Sequence, residues 1–306
     1  MLKIFNLKII KKLFFYSSLC YVTYALTKNF GQLSIVFEWS NYKINLILAF
    51  TFCVSSIVMN ALAWKQIIIW FGHNKNSQKI IEIFIATNIL KYVPGSVWHF
   101  VERFNFLKQK SSEDLAFYAT LIEPYFMLSA ALLMCSFGAI YFPALILFSI
   151  PAFFLRSDLI YLTIKKLDSF KNNSIRLFNI PFSKKEFESS IKFKKGFPLD
   201  AFILEIVFLS FKFFGFISCF YIFNSFAPKE LVLVFVTFCL SWSVGLITPA
   251  APGGVGVFES CFLLIMRNYY YEDGILSALI FFRLISTSSD LFLATPFFLK
   301  KFSRSD

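Results

Sequence analysis

With 306 residues, 58% of them hydrophobic, and a mean hydropathy of +0.67, the chain lies far outside the range of an ordinary soluble domain. There is room for one membrane domain, residues 1–306, and for no sizeable soluble one. The net charge of +12 sits mostly between apolar runs, which points to a membrane surface rather than to nucleic acid.

The six cysteines stand singly inside hydrophobic segments, with no C-x-x-C spacing, and the two histidines are His73 and His99. No metal site and no cofactor are expected from that set, and the thiols read as small buried hydrophobes. The 44 phenylalanines read as the product of an AT-rich genome more than as aromatic chemistry.

In chain order, Lys3, Lys8, Lys11 and Lys12 precede an apolar run from Leu13 to Leu26. No small-x-small cleavage site follows, so a retained first helix with a cytoplasmic N-terminus is expected. A second helix covers Ile44 to Ile69, and a short apolar run covers Ile80 to Leu90. Leu115 to Phe137 and Ala139 to Leu155 form a helical hairpin, turning near Gly138 and Pro143. Between Arg156 and Gly196, ten Lys or Arg face four Asp or Glu, a net +6. This basic loop is expected on the cytoplasmic side, against anionic lipid headgroups. Helices over Leu199–Phe223, Leu231–Ile247 and Ile275–Leu299 follow. The expected architecture is all-α and polytopic, with about eight crossings or partial crossings of a hydrocarbon core about 30 Å thick.

Two stretches interrupt this pattern. Thr248 to Glu259 holds Pro249, Pro252, Gly253, Gly254 and Gly256, with apolar runs on both sides. A helix breaks at such prolines, and the backbone groups it frees cannot be satisfied by lipid. Interrupted segments are tolerated where they line a cavity, and they point to a transporter-like site. A turn at the membrane surface is the plainer reading of the same residues. The second stretch runs from Asn88 to Arg103. Its Pro94-Gly95-Ser96-Val97 lines up with Pro252-Gly253-Gly254-Val255, and Glu102 and Glu259 follow at offsets differing by one residue. The pair suggests an internal repeat of two re-entrant-like elements facing one cavity.

Ionisable groups inside apolar helices cost about 2.5–3.5 kcal/mol each on insertion scales and are functional candidates. Here they are Glu123, just before Pro124, Glu205 and Lys212, and Arg283 and Asp290. Each of the last two pairs is seven residues apart, on one helix face but two turns distant. Their partners are therefore expected on other helices, with charge pairing that fixes helix register as the bland reading. Glu259 is the candidate partner for Arg283 or Lys212. An Arg beside glycine-exposed N–H groups, with a half-helix starting near Pro252, suits a phosphate. The expected partner is a membrane lipid with a phosphate headgroup. Arg283→Ala is expected to abolish its handling without unfolding the protein.

Lys91-Tyr92-Val93-Pro94-Gly95-Ser96-Val97-Trp98 resembles the Y-[IVL]-P-G-K-[VI]-W stretch of the lysylphosphatidylglycerol synthase transmembrane region. Pro252-Gly253-Gly254-Val255-Gly256-Val257-Phe258-Glu259 resembles that family's P-G-G-[LIV]-G-x-x-E stretch, and Arg283 sits where its last helix carries an Arg. By order of segments the resemblance covers essentially the whole chain. It implies a flippase-like membrane domain of a bacterial inner membrane, with the two motifs, Trp98, Glu102, Arg103, Glu259 and Arg283 at the substrate site. Ser96 replaces the commoner Lys, and no aminoacyl-transferase domain follows Asp306, so lipid handling is implied without lysyl transfer.

A flippase or scramblase for a phospholipid or lipid-linked saccharide is thus the leading expectation. A glycosyltransferase using a polyprenyl-phosphate sugar is the enzymatic alternative, with Glu102 or Glu259 as general base. It lacks a D-x-D metal site, since Glu113-Asp114 and Glu272-Asp273 have the wrong spacing. A non-catalytic subunit of an envelope-assembly complex is the third reading. No Walker A loop is present, so ATP is not the expected driver.

Overall fold

The computed structural model describes residues 42–72, 78–93, 97–109, 111–160, 196–225, 227–248 and 252–302. Among the described residues every regular element is a helix and no strand occurs. The elements are α1 (Lys43–Trp70), α2 (Gln78–Asn88), α3 (Trp98–Lys108), α4 (Glu113–Cys135), α5 (Ile150–Phe153), α6 (Leu199–Phe223), α7 (Leu231–Ile247), α8 (Val257–Met266) and α9 (Glu272–Phe302). Short 3-10 turns over Ile89–Tyr92 and Pro252–Gly254 lead into the two interrupted stretches. Helices α1, α4, α6, α7 and α9 contain segments long and apolar enough to cross a membrane. The chain is an integral membrane protein.

Local chemistry explains the boundaries. The Ser112 hydroxyl accepts from the Leu115 N–H at 3.4 Å and caps α4. Pro198 precedes α6, and Asn224 ends it in extended backbone. Inside α4, Pro124 brings no N–H to the ladder, beside the ionisable Glu123. Helix α6 lies along α1, which is possible because Gly215 has no side chain. A Cβ at Gly215 would meet the Cys53 sulfur at 2.8 Å and the Ala49 carbonyl oxygen at 3.3 Å. Small residues let apolar helices approach in this way.

The core has two parts. One gathers Trp64, Phe84 and Phe126 where α1, α2 and α4 meet. The other is built on Phe216 of α6, whose ring centroid lies 4.9 Å from Phe262, 5.2 Å from Phe238 and 5.4 Å from Phe282. These edge and tilted contacts are packing that aromatic rings favour. The phenylalanines of this cluster thus serve packing. Of the five described cysteines all are free, and four are buried.

One expected helix is much shorter than the sequence suggests. Instead of a long second arm over Ala139–Leu155, the chain runs through a 3-10 turn at Pro143–Ser149 into the single turn of α5. Pro143 and Pro151 each withhold a backbone donor, and together they limit this arm to a short apolar stretch. The first helix expected at 13–26, most of the basic loop, and Pro94, Gly95 and Ser96 lie outside the described residues. The two ends of the basic loop are clasped: the Ser157 N–H donates to the Gly196 carbonyl at 3.3 Å, and the Gly196 N–H to the Ser157 hydroxyl at 3.0 Å.

Candidate functional site

Helix α9 is the post to which both interrupted stretches are tied. Arg283, Ser286, Thr287 and Asp290 follow i, i+3, i+4, i+7 spacing and so share one face. At the Asp290 end, one carboxylate oxygen accepts from the Asn88 amide at 2.7 Å. The other accepts from the Tyr92 hydroxyl at 2.7 Å and pairs with the Lys91 ammonium at 2.8 Å. Three donors from one short segment fix the first stretch on a single buried carboxylate.

Arg283 does the same for the second stretch with the opposite charge. Its Nη1 donates to the Gly253 carbonyl at 2.9 Å and its Nη2 to the Gly254 carbonyl at 3.1 Å. Its Nε pairs with Glu259 Oε1, and its guanidinium carbon lies 5.1 Å from the Phe258 ring centroid. The other carboxylate oxygen of Glu259 accepts the Gly256 N–H at 2.7 Å, capping α8. The expected Arg283–Glu259 pair is present, and Arg283 also donates to two glycine carbonyl oxygens, contacts not foreseen from sequence. All three of its nitrogens have protein acceptors, and the N-terminus of α8 is filled by its own carboxylate. Arg283 therefore clamps the loop, a role beyond the phosphate contact expected from sequence.

Glycine permits the clamp. Gly253 (φ 60°), Gly254 (φ 71°) and Gly256 (φ 86°) all have left-handed backbone, which turns successive carbonyls toward Arg283. At Gly253 a Cβ would also lie 3.1 Å from Cε1 of Tyr92, so the two interrupted stretches touch here. Gly253→Ala is expected to cost about 1–2 kcal/mol from backbone conformation alone, with a further loss as the Tyr92 ring is pushed off Asp290. Thermal unfolding of the purified variant checks this; an unchanged midpoint would refute the reading.

A third charged cluster lies beside these two. Arg103 of α3 is buried, and its Nη1 donates to both carboxylate oxygens of Glu123 at 2.7 and 2.6 Å. Its Nε reaches the Thr87 hydroxyl at 3.3 Å, and the guanidinium lies 3.6 Å from the Phe84 ring centroid. Glu205 of α6 is within electrostatic range of Arg103 and Glu123. It is fully buried, and neither of its oxygens has a hydrogen-bond partner. Glu205 and Lys212 are thus not paired with each other, because two turns of helix separate them. The Lys212 ammonium instead donates to the Ser286 hydroxyl at 2.8 Å.

Between the clusters lies a cavity of about 350 Å³. Arg103, Glu123, Lys212, Gly253, Gly254 and Arg283 all line it, so the structure gathers these sequence candidates around one space. Glu205, Glu259 and Asp290 are not on its wall, and the last two hold the wall in place from behind. Trp98 and Glu102 are likewise not on the wall, Gly256 is exposed, and Pro252 opens the 3-10 turn that precedes α8. Asn60 and Ser286, which sequence reasoning passed over, also line it, as do Asn88, Lys91, Tyr92 and His99 of the first interrupted stretch, to which it gave no individual role. Signals for some of them existed: Ser286 shares a helix face with Arg283 and Asp290, and Asn60 is an amide inside a long apolar helix. Compared with protein-family models, curated proteins and solved structures, the chain finds no match.

Proposed function

We propose that this chain is a flippase- or scramblase-like membrane protein that handles a phospholipid or a lipid-linked saccharide. The supporting observation is a cavity that brings Lys91, Arg103, Lys212 and Arg283 onto an otherwise largely apolar wall within a bundle of apolar helices. Lipid cannot hydrate a headgroup, so a headgroup crossing a membrane needs charged or polar side chains along its path. In this reading the two stretches are re-entrant halves of an internal repeat, each followed by a short helix, α3 or α8, and each tied to α9. About eight crossings or partial crossings, cytoplasmic termini and a basic loop on anionic lipid complete the proposed topology. The resemblance to the lysylphosphatidylglycerol synthase transmembrane region supports a bacterial inner membrane as the proposed location.

The test uses purified protein in liposomes carrying several fluorescent phospholipids and a polyprenyl-phosphate sugar. Headgroup accessibility to an external quencher or lectin reports movement between leaflets. Wild type is expected to move one lipid class, and Lys212→Met to lose that movement. If wild type moves none, the translocase reading fails; transfer of labelled sugar to an acceptor would assign the cavity to a glycosyltransferase.

A further inference from the structure

We infer that the cavity is an anion site centred on Lys212, built for one small phosphoester headgroup bearing hydroxyls and closed to cationic headgroups. The charges on its wall are not equivalent. Lys91 is balanced by Asp290, Arg103 by Glu123 and Arg283 by Glu259. Lys212 alone among these four cations has no carboxylate partner among the described residues. Its residue is only 6% exposed, and its one hydrogen bond is to a neutral hydroxyl. An ammonium has three donors, and burying it without a counter-ion is costly, so an anion entering the chamber is favoured there.

Two further wall residues hold unsatisfied polar atoms. Asn60 Oδ1 and His99 Nδ1 are buried and have no hydrogen-bond partner. Unpaired groups of this sort suit a ligand's hydroxyls, since an amide and an imidazole can each donate or accept. A volume of about 350 Å³ lies at the small end of ligand pockets, about 300–1,000 Å³. It suits a phosphate joined to one glycerol or one sugar. Among the described residues a headgroup ammonium would find no free carboxylate on the wall, because Glu123, the one acidic residue of that set lining it, spends both oxygens on Arg103.

This inference deepens the proposed function, and it rests on that reading only for the lipid tails. Its test is binding, so it fails or stands separately from transport. Purified protein in a neutral detergent is titrated with short-chain phosphatidylglycerol, with phosphatidylcholine of the same tails, and with free glycerol phosphate, while the thermal midpoint is followed. Phosphatidylglycerol is expected to give a saturable rise, and phosphatidylcholine none. Lys212→Met should weaken the response roughly tenfold or more, as expected for loss of a charge-assisted contact. Lys108→Met, at an exposed site on α3, should leave it unchanged and so exclude general attraction to a basic protein. A response to glycerol phosphate would show that the same anion site also takes soluble esters. Equal stabilisation by phosphatidylcholine, or a phosphatidylglycerol response that Lys212→Met leaves intact, overturns the inference.

Discussion

Arg103→Met should destabilise the folded bundle by about 3–5 kcal/mol, the usual result of removing one partner from a buried ion pair. Arg103 is 1% exposed and Glu123 is 2% exposed, so solvent cannot replace the lost cation. With the guanidinium gone, Glu123 and Glu205 face one another in a low dielectric with no positive charge between them. The stacked contact with Phe84 is also lost, a smaller term of about 2 kcal/mol when desolvated. The double variant Arg103→Met with Glu123→Leu removes both charges and should recover most of the loss, leaving roughly the stacking term. A double-mutant cycle followed by reversible unfolding in mixed micelles measures the coupling. Additive losses, or a single variant within about 0.5 kcal/mol of wild type, would show that the pair does not hold α3 to α4.

How far the site could be read from sequence depends on the range of each interaction. The limits of α6 and α7 were legible because each is one unbroken apolar run, with Pro198 before the first and Pro228 three residues before the second. The length of the second arm after Gly138 was misread because apolar length was weighed above Pro151. Glu259 and Arg283 could be matched as opposite charges flanking one loop. The face of the loop that Arg283 meets could not, because it depends on left-handed backbone at Gly253 and Gly254. The Arg103–Glu123 pair stayed hidden for a related reason. Both residues were candidates, but only the turn between α3 and α4 makes them neighbours. Lys212 looked like a register device because its partner, Ser286, is neutral and 74 positions away. Seven-residue spacing marks a shared face but says nothing about the helix opposite it.

Arg283→Ala is expected to loosen the whole Pro252–Glu259 turn, an outcome different from the loss of lipid handling with the fold intact that the sequence suggests. A guanidinium acting only as a headgroup contact could be removed with the fold intact. This one ends on two backbone carbonyls and a carboxylate, and charge-assisted bonds of that kind are worth about 1.5–3 kcal/mol each. Its side chain is 22% exposed and that of Glu259 20%, so water from the cavity offsets part of the loss. The net cost should be about 2–4 kcal/mol, seen as a lowered unfolding midpoint. Amide exchange at Gly253 to Gly256 should rise with it, because the Glu259 that caps Gly256 loses the cation that orients it. Arg283→Lys separates charge from shape: one ammonium can keep Glu259 but cannot reach both carbonyls in the planar fork, so its stability should fall between wild type and alanine. If Arg283→Ala unfolds at the wild-type midpoint yet no longer binds phosphatidylglycerol, the clamp is wrong and the guanidinium is a ligand contact. If the midpoint falls and Arg283→Lys recovers part of it, the arginine's task is to hold the glycine turn against the cavity, and the anion is left to Lys212.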